Sequence, residues 1–341
     1  MKSLASDGAT RRLVLGALGS GAALAGGFAQ GTAPAAAAGK KPEWVYVLNS
    51  RDASVSLIDK PSLTEVRRVT VGKEPHHLYP TPDNRSLIVG NAMSDDLVFF
   101  EPTSADIQRR VAAIDDPYQL GFSPDTRWFV TAALRLDRVD VYRYEGGDLK
   151  LARRIALPKA PSHIWFSADS STVFATLQDS NEVAAISLKT LEPLWKLRTG
   201  KQPAGILMTP DDKHLLVGVM GENFVDVIDW RAQKSVRRIV TGRGAHNLRG
   251  LGDQRHVFVT NRVDNTVSCI DMQAFKVVSS FPVPGGPDCM EITSDRKTMW
   301  ITNRFARQVS LVNLGDGRIT HTIGVGRSPH GIYFADRAPL I

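Results

Sequence analysis

The 341-residue chain carries 42 Lys and Arg against 35 Asp and Glu, a formal net charge of +7, with 43% hydrophobic residues and two cysteines. This composition supports a large packed core and excludes a low-hydrophobicity disordered chain, and so few cysteines exclude a disulfide framework. The positive balance admits an anionic partner, yet no basic groove interleaved with aromatics, as single-strand nucleic-acid binders use, is present.

The first forty residues differ from the rest. Arg11-Arg12 precedes an apolar run over residues 13–28 that is rich in Ala, Gly and Leu, and Ala36-Ala37-Ala38 follows as a small-residue cleavage site. The run is too short and glycine-rich for a stable membrane span. The pattern predicts a twin-arginine export signal over residues 1–38, cleaved near Ala38, which places the mature protein in the periplasm. A short linker over residues 39–43 leads into the main domain, expected over residues 44–337 with a tail at 338–341. Without Lys2, Arg11, Arg12 and Asp7 the balance becomes 39 basic against 34 acidic residues, a net +5. No other membrane span is expected, and the mature chain should be a monomer.

Beyond residue 43 the chain is periodic. Asp83, Asp125, Asp169, Asp211, Asp253, Asp295 and Asp336 recur at steps of 42, 44, 42, 42, 42 and 41 residues. A period near forty with β-type patterning marks a propeller, one four-stranded blade per repeat. Residues 203–242 show one unit: Ile206-Leu207-Met208, the turn Pro210-Asp211-Asp212, Leu215-Leu216-Val217, the alternating Val225-Asp226-Val227-Ile228-Asp229, then Val236-Arg237-Arg238-Ile239-Val240. The expected fold is therefore an all-β, seven-bladed β-propeller.

The second strand recurs as Val45-Tyr46-Val47, Val257-Phe258-Val259-Thr260-Asn261 and Trp300-Ile301-Thr302-Asn303. With Val71-Gly72, Val325-Gly326, Pro329-His330-Gly331 and Pro82-Asp83, these residues resemble the YVTN family of β-propeller repeats. Among its members the chain is most similar to the exported, single-domain YncE type. The resemblance spans residues 44–337 and implies the fold. It does not name a reaction, although nucleic-acid binding has been suggested for such proteins.

The phase of the repeat predicts how the ring closes. The domain opens on a second strand and ends on a first strand, so one blade should be split, with a C-terminal inner strand beside three N-terminal ones. Arg67-Arg68, Arg109-Arg110, Arg153-Arg154 and Arg237-Arg238 fall in fourth strands, where cations guard an exposed edge. Leu78, Leu120, Ile164, Ile206, Leu248, Met290 and Ile332 should pack between blades. Their neighbours Tyr79, Gly121, Trp165, Leu207, Arg249, Glu291 and Tyr333 should line the channel, with Arg249 and Glu291 paired.

Two variable positions precede each inner strand: His76-His77, Tyr118-Gln119, Ser162-His163, Ala204-Gly205, His246-Asn247, Asp288-Cys289 and His330-Gly331. Five of eight histidines thus crowd one ring, and Arg51, Arg262 and Arg304 join them from loops on the same face. The repeat aspartates occupy the opposite face, read as structural. The working face admits three readings. In one, each Pro-His imidazole bonds a neighbouring backbone carbonyl. In the second, His76, His77, Tyr118, Gln119, His163, His246, Asn247, His330, Arg51, Arg262 and Arg304 bind a small anionic ligand or a periplasmic partner protein. In the third, His76, His246, Cys289 and His330, beside Asp288, hold a metal or redox centre. The favoured expectation is a non-catalytic binding or scaffold protein of unknown cofactor, with a metal- or quinone-dependent redox role as the alternative. Nucleic-acid binding is not favoured. No nucleophile elbow, close-spaced metal motif or phosphate loop occurs.

Overall fold

The computed structural model describes residues 43–341. The expected export signal and the greater part of the linker lie outside the described residues. Seven four-stranded antiparallel sheets succeed one another along the chain, numbered here as blades one to seven. Blades two to seven each run from inner to outer strand in chain order, as in blade five: Pro203–Met208, His214–Val219, Phe224–Asp229 and Lys234–Val240. Blade one is split. Its inner strand, Pro329–Tyr333, pairs with Trp44–Asn49, which continues to Ser54–Asp59 and Thr64–Thr70. No helix among the described residues is long and apolar enough to cross a membrane.

The core lies between blades. Leu78, Leu120, Ile164, Ile206, Leu248, Met290 and Ile332 each enter a different apolar cluster, and every such cluster joins two adjacent sheets. Burying alternate residues of both faces of a sheet is how a strand with period-two patterning loses its apolar area to its neighbours. Each inner strand therefore belongs to two interfaces at once. The paired arginines do lie in outermost strands. Arg67 and Arg109 also reach across to the next blade, donating to Ala105 O and Gly147 O respectively.

Six of the seven repeat aspartates organise a turn; Asp336 instead bonds Lys60 and Ser294. Thr81 Oγ1 donates to Asp83 Oδ1 at 2.7 Å and the Arg85 N–H to the same oxygen at 3.1 Å. Ser123–Asp125, Ser167–Asp169, Thr209–Asp211 and Thr293–Asp295 repeat the arrangement. Where the resembled family has glycine after this Asp, the chain has Asn84, Thr126, Ser170, Asp212, Gln254 and Arg296, all left-handed at φ between 55° and 61°. Such a residue costs roughly 1 kcal/mol relative to glycine, offset here by the carboxylate's hydrogen bonds.

The Thr-Asn end of the second strand has a separate task. Thr302 Oγ1 accepts the Cys289 N–H of its own inner strand at 3.0 Å and donates to His330 O of the next blade at 2.8 Å. Thr260 does the same for Asn247 N and Asp288 O, and Thr176 for His163 N and Ala204 O. Adjacent inner strands, which share no ladder, are thereby stitched at the channel mouth. Asn49, Asn91, Asn261 and Asn303 are fully buried beside them. A Cβ on Gly326 would stand 2.5 Å from Asn49 Cγ, and one on Gly72 would stand 2.7 Å from Asn91 Cγ, which accounts for the Val-Gly step.

Candidate functional site

The variable pairs do not lie in turns before the inner strands, as their spacing suggested, but within them, except that Tyr118 immediately precedes the strand Gln119–Phe122. Six inner strands shift register across these two positions, between Pro75 and Leu78, Pro161 and Ile164, Pro203 and Ile206, Ala245 and Leu248, Pro287 and Met290, and Pro329 and Ile332. A bulge frees a residue from the ladder and re-aims its side chain. Here it turns His76, His77, His163, His246 and Asp288 toward the ring axis.

There the imidazoles touch one another. His76 stacks between Tyr118 and His330, with centroids at 3.8 and 3.7 Å. His77 lies edge-on to His330 at 4.7 Å and to His163 at 5.2 Å, and His163 to His246 at 5.3 Å. His76, His163 and His246 are each 1% exposed, and His330 not at all.

Hydrogen bonds to unambiguous acceptors settle three tautomers. A carbonyl oxygen only accepts, so His76 Nδ1, 3.2 Å from Tyr118 O, and His330 Nδ1, 2.8 Å from His76 O, both carry the proton. Thr176 commits its hydroxyl proton to a carbonyl, so Ser162 must donate to Thr176 Oγ1 at 3.0 Å. Ser162 Oγ then accepts from His163 Nδ1 at 3.1 Å. In all three rings Nε2 is left as a bare lone pair. These Nε2 atoms, and that of His77, are buried without any hydrogen-bond partner. The carbonyl-bonding expectation and the ligand expectation thus describe opposite edges of the same rings.

Asp288 is the electrostatic centre. Its carboxylate meets Arg262 Nη2 at 2.6 Å, Arg304 Nη1 at 3.2 Å, His246 Nδ1 at 3.1 Å and His330 Nε2 at 3.5 Å. Complete burial alone would raise its pKa, but the Arg262 guanidinium, with His246 Nδ1 hydrogen-bonded beside it, holds it well below the carboxylate range. Burial pushes all five imidazoles down, His77 to about 3 and His246 to about 4, so they are neutral at pH 7. Burial also lifts the Tyr118 hydroxyl to about 12 and drives the Cys289 thiol well up. Replacing Asp288 by alanine should cost about 3 kcal/mol, because it strands Arg262 and Arg304 without an anion. Urea denaturation of the variant would measure it, and an unchanged midpoint would contradict this role.

Ligand atoms of His76, His77 and His330 lie within 4.8 Å of one another, as do those of His246, Asp288 and His330. Cys289 falls outside both groups, with its Sγ 3.5 Å from His330 Nδ1 and from Asn247 Nδ2. Both Cys289 and Cys269 are free thiols. Gln119 sits lower, its Oε1 accepting the Ile164 N–H. Arg51 is exposed at the rim and contributes only backbone, its N–H donating to Arg327 O at 3.3 Å and its carbonyl accepting from the Arg327 side chain at 3.2 Å. Arg262 and Arg304 are committed inward to Asp288. The role of Asp288 as hub could have been anticipated from its place in the same variable pair as the histidines.

The model of the YNCE-like beta-propeller family matches residues 12–340. The chain belongs to that family. A search of curated proteins found no significant match. Among solved structures, the chain is similar to Kuenenia stuttgartiensis hydrazine synthase at 18% identity, with 77% of this chain and 92% of that one covered and a TM-score of 0.65. It is similar to the dihydro-heme d1 dehydrogenase NirN in complex with DHE at 14%, covering 89% and 78%, TM-score 0.68. A functionally unknown protein from Desulfotomaculum acetoxidans DSM 771 matches at 15%, covering 86% and 98%, TM-score 0.74. At these identities the likeness is one of fold, and the histidine ring must be interpreted from this chain's own residues.

Proposed function

We propose that this family member is an exported, periplasmic metal-binding propeller that holds a transition-metal ion at the channel mouth. His76, His77 and His330 supply the ligand nitrogens, and His246 and Asp288 close the other side. The observation that carries this reading is the set of partnerless Nε2 atoms converging in a buried site, three of them with the proton fixed on Nδ1. Buried polar atoms almost always find partners, so a cluster of orphans implies a missing one. An anion would need donors there, whereas fixed lone pairs suit a cation with affinity for imidazole. Backbone carbonyls holding Nδ1–H are the outer support that such ligands use. His330 Nε2 and the Asp288 carboxylate, facing each other at 3.5 Å, also call for a positive charge between them.

Binding is the whole of the proposal. Two neighbours are named as enzymes, so the architecture is compatible with catalysis, but no residue here requires a reaction. Elemental analysis of protein purified from its native compartment should find a single equivalent of a first-row transition metal. His77→Gln and His330→Gln should each lower retention at least tenfold while circular dichroism is unchanged. Metal-free protein that also fails to bind added Cu, Zn or Co would overturn the reading.

A further inference from the structure

Seven equivalent inner-strand positions line the channel below the histidines, and their side chains divide it in two. On blades six, seven and one, Arg249, Glu291 and Tyr333 form a plug together with the C-terminal residues. Arg249 bonds Glu291 at 2.6 Å and donates to Ala338 O and Pro339 O, each at 2.7 Å. Arg337 pairs with Glu291 at 3.1 Å and lies over the Tyr333 ring. The tail is therefore part of the channel wall rather than a free end. On blades two, three and four the equivalents are Tyr79, Gly121 and Trp165, and the middle one has no side chain.

The space that Gly121 leaves is a cavity of about 470 Å³. Phe122, Phe166 and Trp165 give it aromatic walls, Leu340 and Ile341 of the tail form its far side, and it opens among the turns at Pro124 and Pro210. This is the repeat-aspartate face, which the sequence reading treated as structural. Cavities of this size with apolar walls and few polar groups are the usual form of a small-molecule site. At its inner end stand His77 and Gln119. Gln119 spends its carbonyl oxygen on the Ile164 N–H, so its NH2 has no partner in the protein and is the donor at the base. No charged side chain other than Asp212, at the entrance, borders the cavity.

We propose that this half-channel binds a planar, uncharged aromatic molecule of fused-ring size that carries a carbonyl acceptor at one end. Its rings lie in the gap at Gly121 between Tyr79 and Trp165, and its carbonyl accepts from Gln119. The site shares only His77 with the proposed metal site, and binding in it does not require the metal.

The test uses the full-length mature protein, stripped with EDTA, and the neutral naphthalene ketone prodan, whose emission shifts to the blue in apolar surroundings. Saturable 1:1 binding with a blue shift is expected. Gly121→Leu and Gly121→Phe should weaken it at least tenfold with the melting temperature unchanged, because a Cβ there meets only Phe166 at 3.4 Å and Ile164 at 3.9 Å. Gln119→Glu, which keeps the acceptor for Ile164 and removes the donor, should weaken it several-fold and decides the matter if the Gly121 variants fail to fold. No saturable shift, or binding undiminished in the folded variants, would overturn the proposal.

Discussion

Metal-stripped protein should lose several kcal/mol of stability between about pH 7 and pH 5. Five buried imidazoles have folded pKa values below the 6.5 of an unfolded histidine, His77 at about 3 and His246 at about 4, chiefly through burial. Below about pH 6.5 the unfolded chain takes up protons that the folded chain cannot accommodate. Acid therefore favours unfolding by about 1.4 kcal/mol per histidine per pH unit. The sign is that of a depressed base: stability is complete above the unfolded pKa and falls as pH drops. Asp288 contributes in the same direction but in a lower window, below about pH 4, where the unfolded carboxylate takes up a proton while the folded one is still held ionised. Urea melts in EDTA across this range would show the slope, and each His→Gln substitution in the ring should reduce it. A flat profile between pH 7 and pH 5 would mean that these rings are charged or hydrated in the folded protein.

A chain ending at Pro329 should have no cooperative unfolding transition. The cut removes Ile332, Tyr333 and Phe334, all at least nine-tenths buried. Each contributes about 1.5–3 kcal/mol on burial, so their loss together approaches the 5–15 kcal/mol that stabilises a typical domain. It also uncovers the edge of Trp44–Asn49 and breaks the Thr302 bridge to His330 O. By contrast, ending the chain at Ala338 leaves the inner strand paired and should lower the melting temperature only modestly. Calorimetry on the two truncations separates ring closure from the tail's own contribution. A chain ending at Pro329 that melts like the full one would refute the split blade as the closing element.

The period-two pattern and the forty-residue repeat made the blades legible, because both follow from local rules that hold in every unit. Alternation told Ile164 from Trp165, and the Arg249–Glu291 pair followed from equal positions on adjacent blades. The histidine ring was legible for the same reason, since equal phase means equal height on the axis. Direction was not legible. Spacing alone could not say that Arg51 faces solvent while Arg262 reaches Asp288, nor that Cys289 lies beside the ligand groups rather than among them. Residues 338–341 break the repeat, so no equivalent elsewhere hinted that they enter the channel. The cavity was hidden for a related reason: Gly121 looks like an ordinary strand glycine until the tail's position shows which half of the channel it leaves open.

The bulged inner strands separate what the ring displays from what holds it together. Their ladder bonds, the Thr-to-carbonyl stitches and the apolar packing all use neighbouring atoms or backbone, so, the Asp288 hub apart, the side chains at the two bulge positions do not hold the blade together. A propeller of this design is a set of seven interchangeable sockets facing one axis. Swapping a pair that holds no glycine, for instance giving Ser162-His163 the residues of His246-Asn247, would extend or erase a coordination sphere without re-engineering a blade, whereas Gly205 is closed to this because a Cβ there would collide with His246 O. That freedom would let one scaffold take up different cargoes over evolutionary time while its repeat stays recognisable.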